Sequence, residues 1–268
     1  MLSPASSAIV TFFALVAAAL IGTGIRRALP EEHKAQETVQ LVQLVIGMLV
    51  TFAALMLSLL TASAKTSFDT VTDDFHVFAS DLIQLDSTLR AYGGEADRAR
   101  ELLRIYTAAA TASTWPHERP PPGDYYPKDL DPKDTTDNLD DVRLDKLLDT
   151  AGNEVRRLNA TDPYHEALRT EGLEQFARAT TAHWKLIEEA HSSISLPFFL
   201  TMAFWLFVIF LSFGLVAPHN ALALVTVGLG AILLASVVYV IVDFDTLFRG
   251  LIIVPSQPMR DALNHLSL

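Results

Sequence analysis

Gln43, Gly47, Thr51, Ala54, Ser58, Thr61 and Lys65 recur at steps of four, four, three, four, three and four within the apolar stretch LVQLVIGMLVTFAALMLSLLTASAK. On a helix that spacing places all seven on one side. A small, hydroxyl-bearing stripe along an apolar helix has three uses. It lets helices of one chain pack closely, it mediates contact between copies, or it faces water in a pore. In the third case Thr51 and Ser58 supply hydroxyl dipoles, and Ala54 or Leu55 sets a narrow or dewetting point. Gln43 and Lys65 lie near the ends, where either can snorkel to the interface.

Ionisable groups cluster in three other places. Asp243, Asp245 and Arg249 sit at the end of the last apolar stretch, VVYVIVDFDTLFRG. Such groups serve as ion-path or anchoring residues, or as a plain i,i+4 ion pair between Asp245 and Arg249. The run DLDPKDTTDNLDD has the density of a calcium loop. Counted from Asp129, it has no glycine at the sixth position and no glutamate at the twelfth, and so reads as a solvated acidic loop. His183 and His191 are two helical turns apart, too far to share one metal, and read as surface or packing residues. No nucleophile–base–acid order, Gly-rich phosphate loop or supported carboxylate pair occurs. The chain is therefore not read as an enzyme, and no metal or cofactor is expected.

The elements that must hold these residues are helical. The chain has 268 residues, is 50% hydrophobic, and contains no cysteine, which removes disulfides and thiol chemistry. Its net charge of −11 is carried entirely by residues 66–194, and the rest sums to zero. So acidic a segment repels nucleic acid. Four stretches reach the roughly 17–25 apolar residues a spanning helix needs, namely 9–25, 41–64, 196–216 and 221–242. The linker Ala217-Pro218-His219-Asn220 makes the last two antiparallel neighbours. The segment MLSPASS before the first stretch lacks Lys and Arg, so that stretch reads as an uncleaved helix rather than a signal peptide. Four spans put both termini and the middle segment on one side. Lys65, Arg178, Lys185, Arg249 and Arg260 outnumber Arg26, Arg27 and Lys34, which makes that side the cytoplasm.

Beyond Lys65 an apolar seam continues through Phe68, Val71, Phe75, Phe78, Leu82, Leu85, Leu89 and Tyr92 at alternating steps of three and four. With no Gly or Pro between Gly47 and Gly93, one helix is expected from Glu37 to Tyr92, on the order of 80 Å long at 1.5 Å per residue. The Phe75–Phe78–Leu82 seam fits either an oligomer contact or packing within the chain. Further helices are expected over 95–113, over 139–158, and from Pro163 with an inward stripe of Leu173, Phe176, Trp184, Ile187 and Ile194. Pro197 is a point of kink or restart. The fold class is all-α, a polytopic membrane protein with four transmembrane helices and a helical soluble middle domain. The divisions are 1–65, a first hairpin, 66–194, the acidic domain, and 195–268, a second hairpin and tail.

The pieces LMLSLLTASAKTSFD, DLIQLDSTLRAYG, FWLFVIFLSFGLVAPHNALAL and VDFDTLFRGLIIVPSQPMRDAL resemble, in order, the bacterial bestrophin-like domain family of membrane proteins. More loosely, the layout is similar to that of bestrophins. That resemblance implies a pentameric anion channel whose second span lines the pore and continues into a cytosolic domain. The Thr51 face departs from it in lacking the aromatic and aliphatic neck run of bestrophins, and no acidic calcium clasp is found. The resulting expectation is a homo-oligomeric ion channel in a bacterial inner membrane. Its partners would be lipid, inorganic ions and copies of itself, with Gln43, Gly47, Thr51, Ala54, Leu55, Ser58, Thr61 and Lys65 lining the axis. The alternative is a non-conducting membrane-tethered scaffold or sensor acting through the acidic domain.

Overall fold

A computed structural model describes residues 3–28, 30, 36–122, 142–190, 196–218, 220–248 and 250–268. These residues form eight α-helices and one 3-10 turn, with no strand among them. The helices are α1 (Pro4–Ala28), α2 (Gln36–Tyr92), α3 (Asp97–Thr114), α4 (Val142–Arg157), α5 (Pro163–Ala190), α6 (Leu196–Val216), α7 (Ala221–Asp245) and α8 (Gln257–Leu266). The expected single helix from Glu37 to Tyr92 is thus present as α2, with no break between Ala62 and Asp73. It ends at Gly93, whose φ of 101° only glycine adopts without strain.

The chain divides into two compact units. The first comprises residues 1–68 and 193–253. It holds α1, α6, α7 and the start of α2, and among the described residues these four helices are the ones long and apolar enough to cross a membrane. The chain is an integral membrane protein. Leu15, Ala18, Ala53, Leu57, Leu60, Met202, Phe210, Ala231, Val238 and Ile241 build its core. Two glycines bring α1 and α6 together. A methyl added at Gly22 would lie 2.0 Å from the Leu211 carbonyl oxygen, and one at Gly214 would lie 2.0 Å from that of Ala19. Small residues at such crossings let backbones approach where lipid tails provide no hydrophobic drive. Hydroxyls in these helices donate to carbonyls one turn back, as Thr11 does to Ser7, Thr201 to Pro197 and Thr226 to Leu222. A bilayer has no water to satisfy them otherwise. Asn220 caps α7, its side-chain oxygen accepting the Ala223 N–H at 2.8 Å.

The second unit comprises residues 69–192 and 254–268. Here the seam of α2 is fully buried, and Val71, Phe75, Phe78, Leu82, Leu85, Leu89 and Tyr92 are each at most 5% exposed. Phe75 meets Trp115 at 5.1 Å, and Phe78 packs edge-on against Tyr106. The oligomer reading of Phe75, Phe78 and Leu82 is therefore corrected: the chain's own helices cover them.

The inward face of α5 also differs from expectation. Gly172, Gln175, Phe176, Ala179, His183 and Leu186 are buried, while Trp184 is 51% exposed. At about 100° per residue His183 lies near Phe176 around the helix, whereas Trp184 is displaced by about 80°. Gly152 of α4 leaves the space that the Phe176 ring fills, since a methyl there would come within 2.3 Å of the ring.

Residues 254–268, grouped above with the second hairpin, cluster instead with the second unit. The Trp115 indole N–H donates to the Val254 carbonyl at 2.7 Å, Arg260 pairs with Glu118 at 2.8 Å, and α8 buries Met259, Ala262, Leu263 and Leu266.

Candidate pore-lining face and boundary charges

Around the part of α2 that lies in the first unit, three faces alternate. Ile46, Ala53, Leu57, Leu60 and Ala64 are buried. Gln43, Gly47, Thr51, Ala54, Ser58 and Lys65 are exposed, and Thr61 is half-buried. The small polar stripe thus points away from the chain's own core. A methyl added at Gly47 would meet nothing within 4 Å. Of the three uses raised by the sequence, close packing within one chain does not fit the stripe. Contact between copies and a water-facing path both do.

The third face is a row that the sequence reading passed over. Leu44, Met48, Phe52, Leu55 and Leu59 are all more than half exposed and are spaced four, four, three and four apart. Leu55 stands at the border, four residues from Thr51 and three from Phe52, so it joins both rows.

The hydroxyls on the stripe are oriented by the helix. Thr51 Oγ1 donates to the Gly47 carbonyl at 2.9 Å, and Thr61 Oγ1 donates to that of Leu57 at 2.8 Å. Donation inward leaves oxygen lone pairs facing outward. Such a face accepts hydrogen bonds from water or coordinates a cation weakly, and it polarises an anion only after the hydroxyl rotates.

Asp243 is 0% exposed and anchors the turn after α7. Its Oδ1 accepts the Leu251 N–H at 3.1 Å and its Oδ2 the Ile252 N–H at 2.9 Å. A methyl at Gly250 would lie 2.2 Å from Oδ1, so the loop closes over the carboxylate because that residue is glycine. Of the two roles raised for Asp243, this geometry is anchoring. Asp245 is half-buried, and its expected partner Arg249 lies outside the described residues, as do the acidic run from Asp129 and His191.

The second unit carries its own buried polar groups. His183 Nδ1 is 3.1 Å from the Tyr106 hydroxyl, and its Nε2 is 3.0 Å from Asp145. Burial, and then the Asp145 charge, push the Tyr106 phenol far above its ordinary range. It is therefore the neutral O–H that faces the imidazole. Asp86, fully buried, is held by Arg90 at 2.7 Å and Arg100 at 2.8 Å. Lys185 reaches Asp74 at 2.7 Å, a hydrogen bond that raises its pKa. Burial, and then a neighbouring Asp74, raise that of Glu189. Among the described residues no cluster of three or more metal-ligating side chains occurs.

The family model of the Bestrophin-like domain matches residues 13–259. The chain belongs to that family. No curated protein sequence matches the chain. Its fold is that of solved bacterial bestrophin homologues from Klebsiella pneumoniae. Two point-mutant forms superpose with a TM-score of 0.64, one at 16% identity over 97% of each chain and the other at 15% over 99% of this chain and 97% of that one. A third structure of that homologue has a TM-score of 0.62 at 15% identity over 96% of each chain. The likeness of fold thus extends over residues of both units.

Proposed function

We propose that this bestrophin-like chain forms a homo-oligomeric pore around the small polar face of α2 and conducts ions passively. The observation that carries the reading is the exposure of Thr51, Ala54 and Ser58 on a helix whose opposite face, Ala53, Leu57 and Leu60, is buried in the protomer. Small and hydroxyl-bearing residues in a bilayer favour close contact between helices or water, so this stripe belongs beside other copies or a water-filled path. Rotation of identical copies closes a ring with this face toward the axis. Five copies are proposed from the resemblance to bestrophins. Lys65 at the end of the stripe would then form a ring of bases, the arrangement suited to anions. The outward lone pairs of Thr51 work in the opposite sense, so the sign of the ion is decided by measurement.

In this reading the membrane is the bacterial inner membrane, and the second unit and both termini are cytoplasmic. A cysteine introduced at Glu95, which is exposed, would escape a membrane-impermeant reagent on whole cells; strong labelling would reverse the orientation.

The conduction test is flux in reconstituted liposomes. Thr51→Leu should reduce flux by dewetting the path, and Thr51→Glu should shift preference toward cations. Wild-type oligomer silent to chloride, nitrate, sodium and potassium across voltage, pH and calcium would overturn the pore. A second reading, a non-conducting scaffold, is favoured by one observation. The Thr51 and Thr61 hydroxyls are satisfied within the helix, as in a dry helix–helix contact.

A further inference from the structure

The end of the first unit where α1 finishes and α7 begins carries two adjacent arginines in different situations. Arg26 Nη1 donates to the Val216 carbonyl at 3.1 Å and also to that of Ala217. It thereby satisfies the last carbonyls of α6, the usual work of a base at a helix C-terminus. Arg27 is exposed and makes no hydrogen bond or ion pair among the described residues. Arg27 instead lines the mouth of a groove of about 310 Å³ that runs down between α1, α6 and α7.

The groove is apolar over most of its length. Val16 and Leu20 form one wall and Leu224 the other, with Gly228 facing the space between them. A methyl added at Gly228 would meet nothing within 4 Å, so a longer side chain there has open space to extend into the groove. The polar groups nearest the mouth are already engaged. Thr23 Oγ1 donates to the Ala19 carbonyl at 3.0 Å, and the Asn220 side-chain oxygen accepts the Ala223 N–H. The site therefore presents an apolar slot ending in a guanidinium that, among the described residues, has no partner, on helices that lie in a bilayer.

From this we propose that the groove holds one acyl chain of an anionic phospholipid whose phosphate is bound by Arg27. The chemistry is complementary at both ends. A guanidinium fork matches phosphate oxygens, and an apolar slot open to the membrane takes a hydrocarbon tail. This site involves no residue of α2 and is independent of whether the stripe conducts.

The test is native mass spectrometry of the intact oligomer, stripped of lipid in detergent and titrated with phosphatidylglycerol or phosphatidylcholine. Wild-type protein should retain one phosphatidylglycerol per protomer, with about fivefold preference over phosphatidylcholine, the gain expected from one base beside a headgroup of net negative charge rather than one whose choline offsets the phosphate. Inorganic phosphate should not displace it. Arg27→Gln, an exposed position that leaves folding intact, should abolish the preference. Gly228→Leu should lower retention of both lipids. Gly24→Leu, equally open but outside the groove, should behave as wild type. Equal binding of the two lipids by wild type, or an Arg27→Gln variant that keeps the preference, would overturn the proposal. So would a Gly228→Leu variant that changes subunit number rather than lipid count, because the groove would then be a contact between copies.

Discussion

The two parts of α2 obey different rules. In the second unit its seam of Val71, Phe75, Phe78, Leu82, Leu85 and Leu89 is covered completely by the chain's own helices. In the first unit the same helix buries only a narrow face of Ala53, Leu57, Leu60 and Ala64, and leaves Leu44, Phe52, Leu55 and Leu59 more than half exposed. The solvent accounts for the difference. An apolar seam in water is stabilised by roughly 25 cal/mol per Å² buried, so a chain that can cover it will do so. In a bilayer an exposed leucine costs nothing, because lipid tails are as apolar as it is. Apolar exposure on the membrane part of α2 therefore says little about partners. The small and polar residues there are more informative, because they favour close helix contact or water.

This contrast can be broken at several points. The largest effect is expected where backbones touch. Gly22→Leu or Gly214→Leu would push a side chain into the facing carbonyl at 2.0 Å, and neither variant should yield a folded oligomer on size exclusion.

Next comes the seam. Leu82→Ala should destabilise the protein by about 2–5 kcal/mol in denaturant unfolding. Subunit number should not change, since Leu82 is 0% exposed within one chain. Dissociation of the oligomer without loss of stability would return the seam to the interface.

Asp243→Ala removes the acceptor for two backbone N–H groups, and about 1.5–3 kcal/mol of stability should be lost. Ion selectivity should stay as in wild type; a changed selectivity would place Asp243 on the ion path rather than at an anchor.

The smallest effect concerns Asp162, which caps α5. Its Oδ1 accepts the N–H groups of Tyr164 and His165. The His165 backbone and side-chain bonds, aided by the Tyr164 N–H, hold its pKa below the usual carboxylate range. A lowered folded pKa gives stability that is present above the unfolded value and lost as pH falls through the folded one. The thermal midpoint of wild type should exceed that of Asp162→Ala near neutral pH, and the gap should close below about pH 4. A gap that persists in acid would mean that the cap does not depend on the charge.

The helices were legible because hydrophobic period and length specify them. The bounds of α6 follow directly from the length of its apolar run, and the unbroken run of α2 from apolar spacing and the absence of Gly and Pro between Gly47 and Gly93. What escaped was phase and docking. Trp184 was placed inward because it is apolar, yet its position around α5 points outward, and the polar His183 takes the core position between Tyr106 and Asp145. The short helix α8 carried a readable signal in Pro258 near its start and Met259, Ala262, Leu263 and Leu266 at steps of three, one and three. Its assignment to the second unit depends on the distant Trp115 and Glu118, which no local pattern reveals. At the candidate site the polar stripe could be read from spacing. The competing row Leu44, Met48, Phe52 and Leu59 is hidden in an apolar run, where every residue type is the same and only the buried face tells the rows apart.

The most direct test of the small polar face uses a property of the chain itself. It contains no cysteine, so an introduced thiol is the only target for a charged, water-borne sulfhydryl reagent. The oligomer is reconstituted into liposomes with Thr51→Cys, Ser58→Cys, Leu57→Cys or Leu59→Cys, and ion flux is measured before and after reagent. Our account predicts that modification at positions 51 and 58 changes flux, while positions 57, buried in the protomer, and 59, on the bulky row, do not respond. Flux that responds at 59 and not at 51 or 58 would contradict it and move the axis to the bulky row.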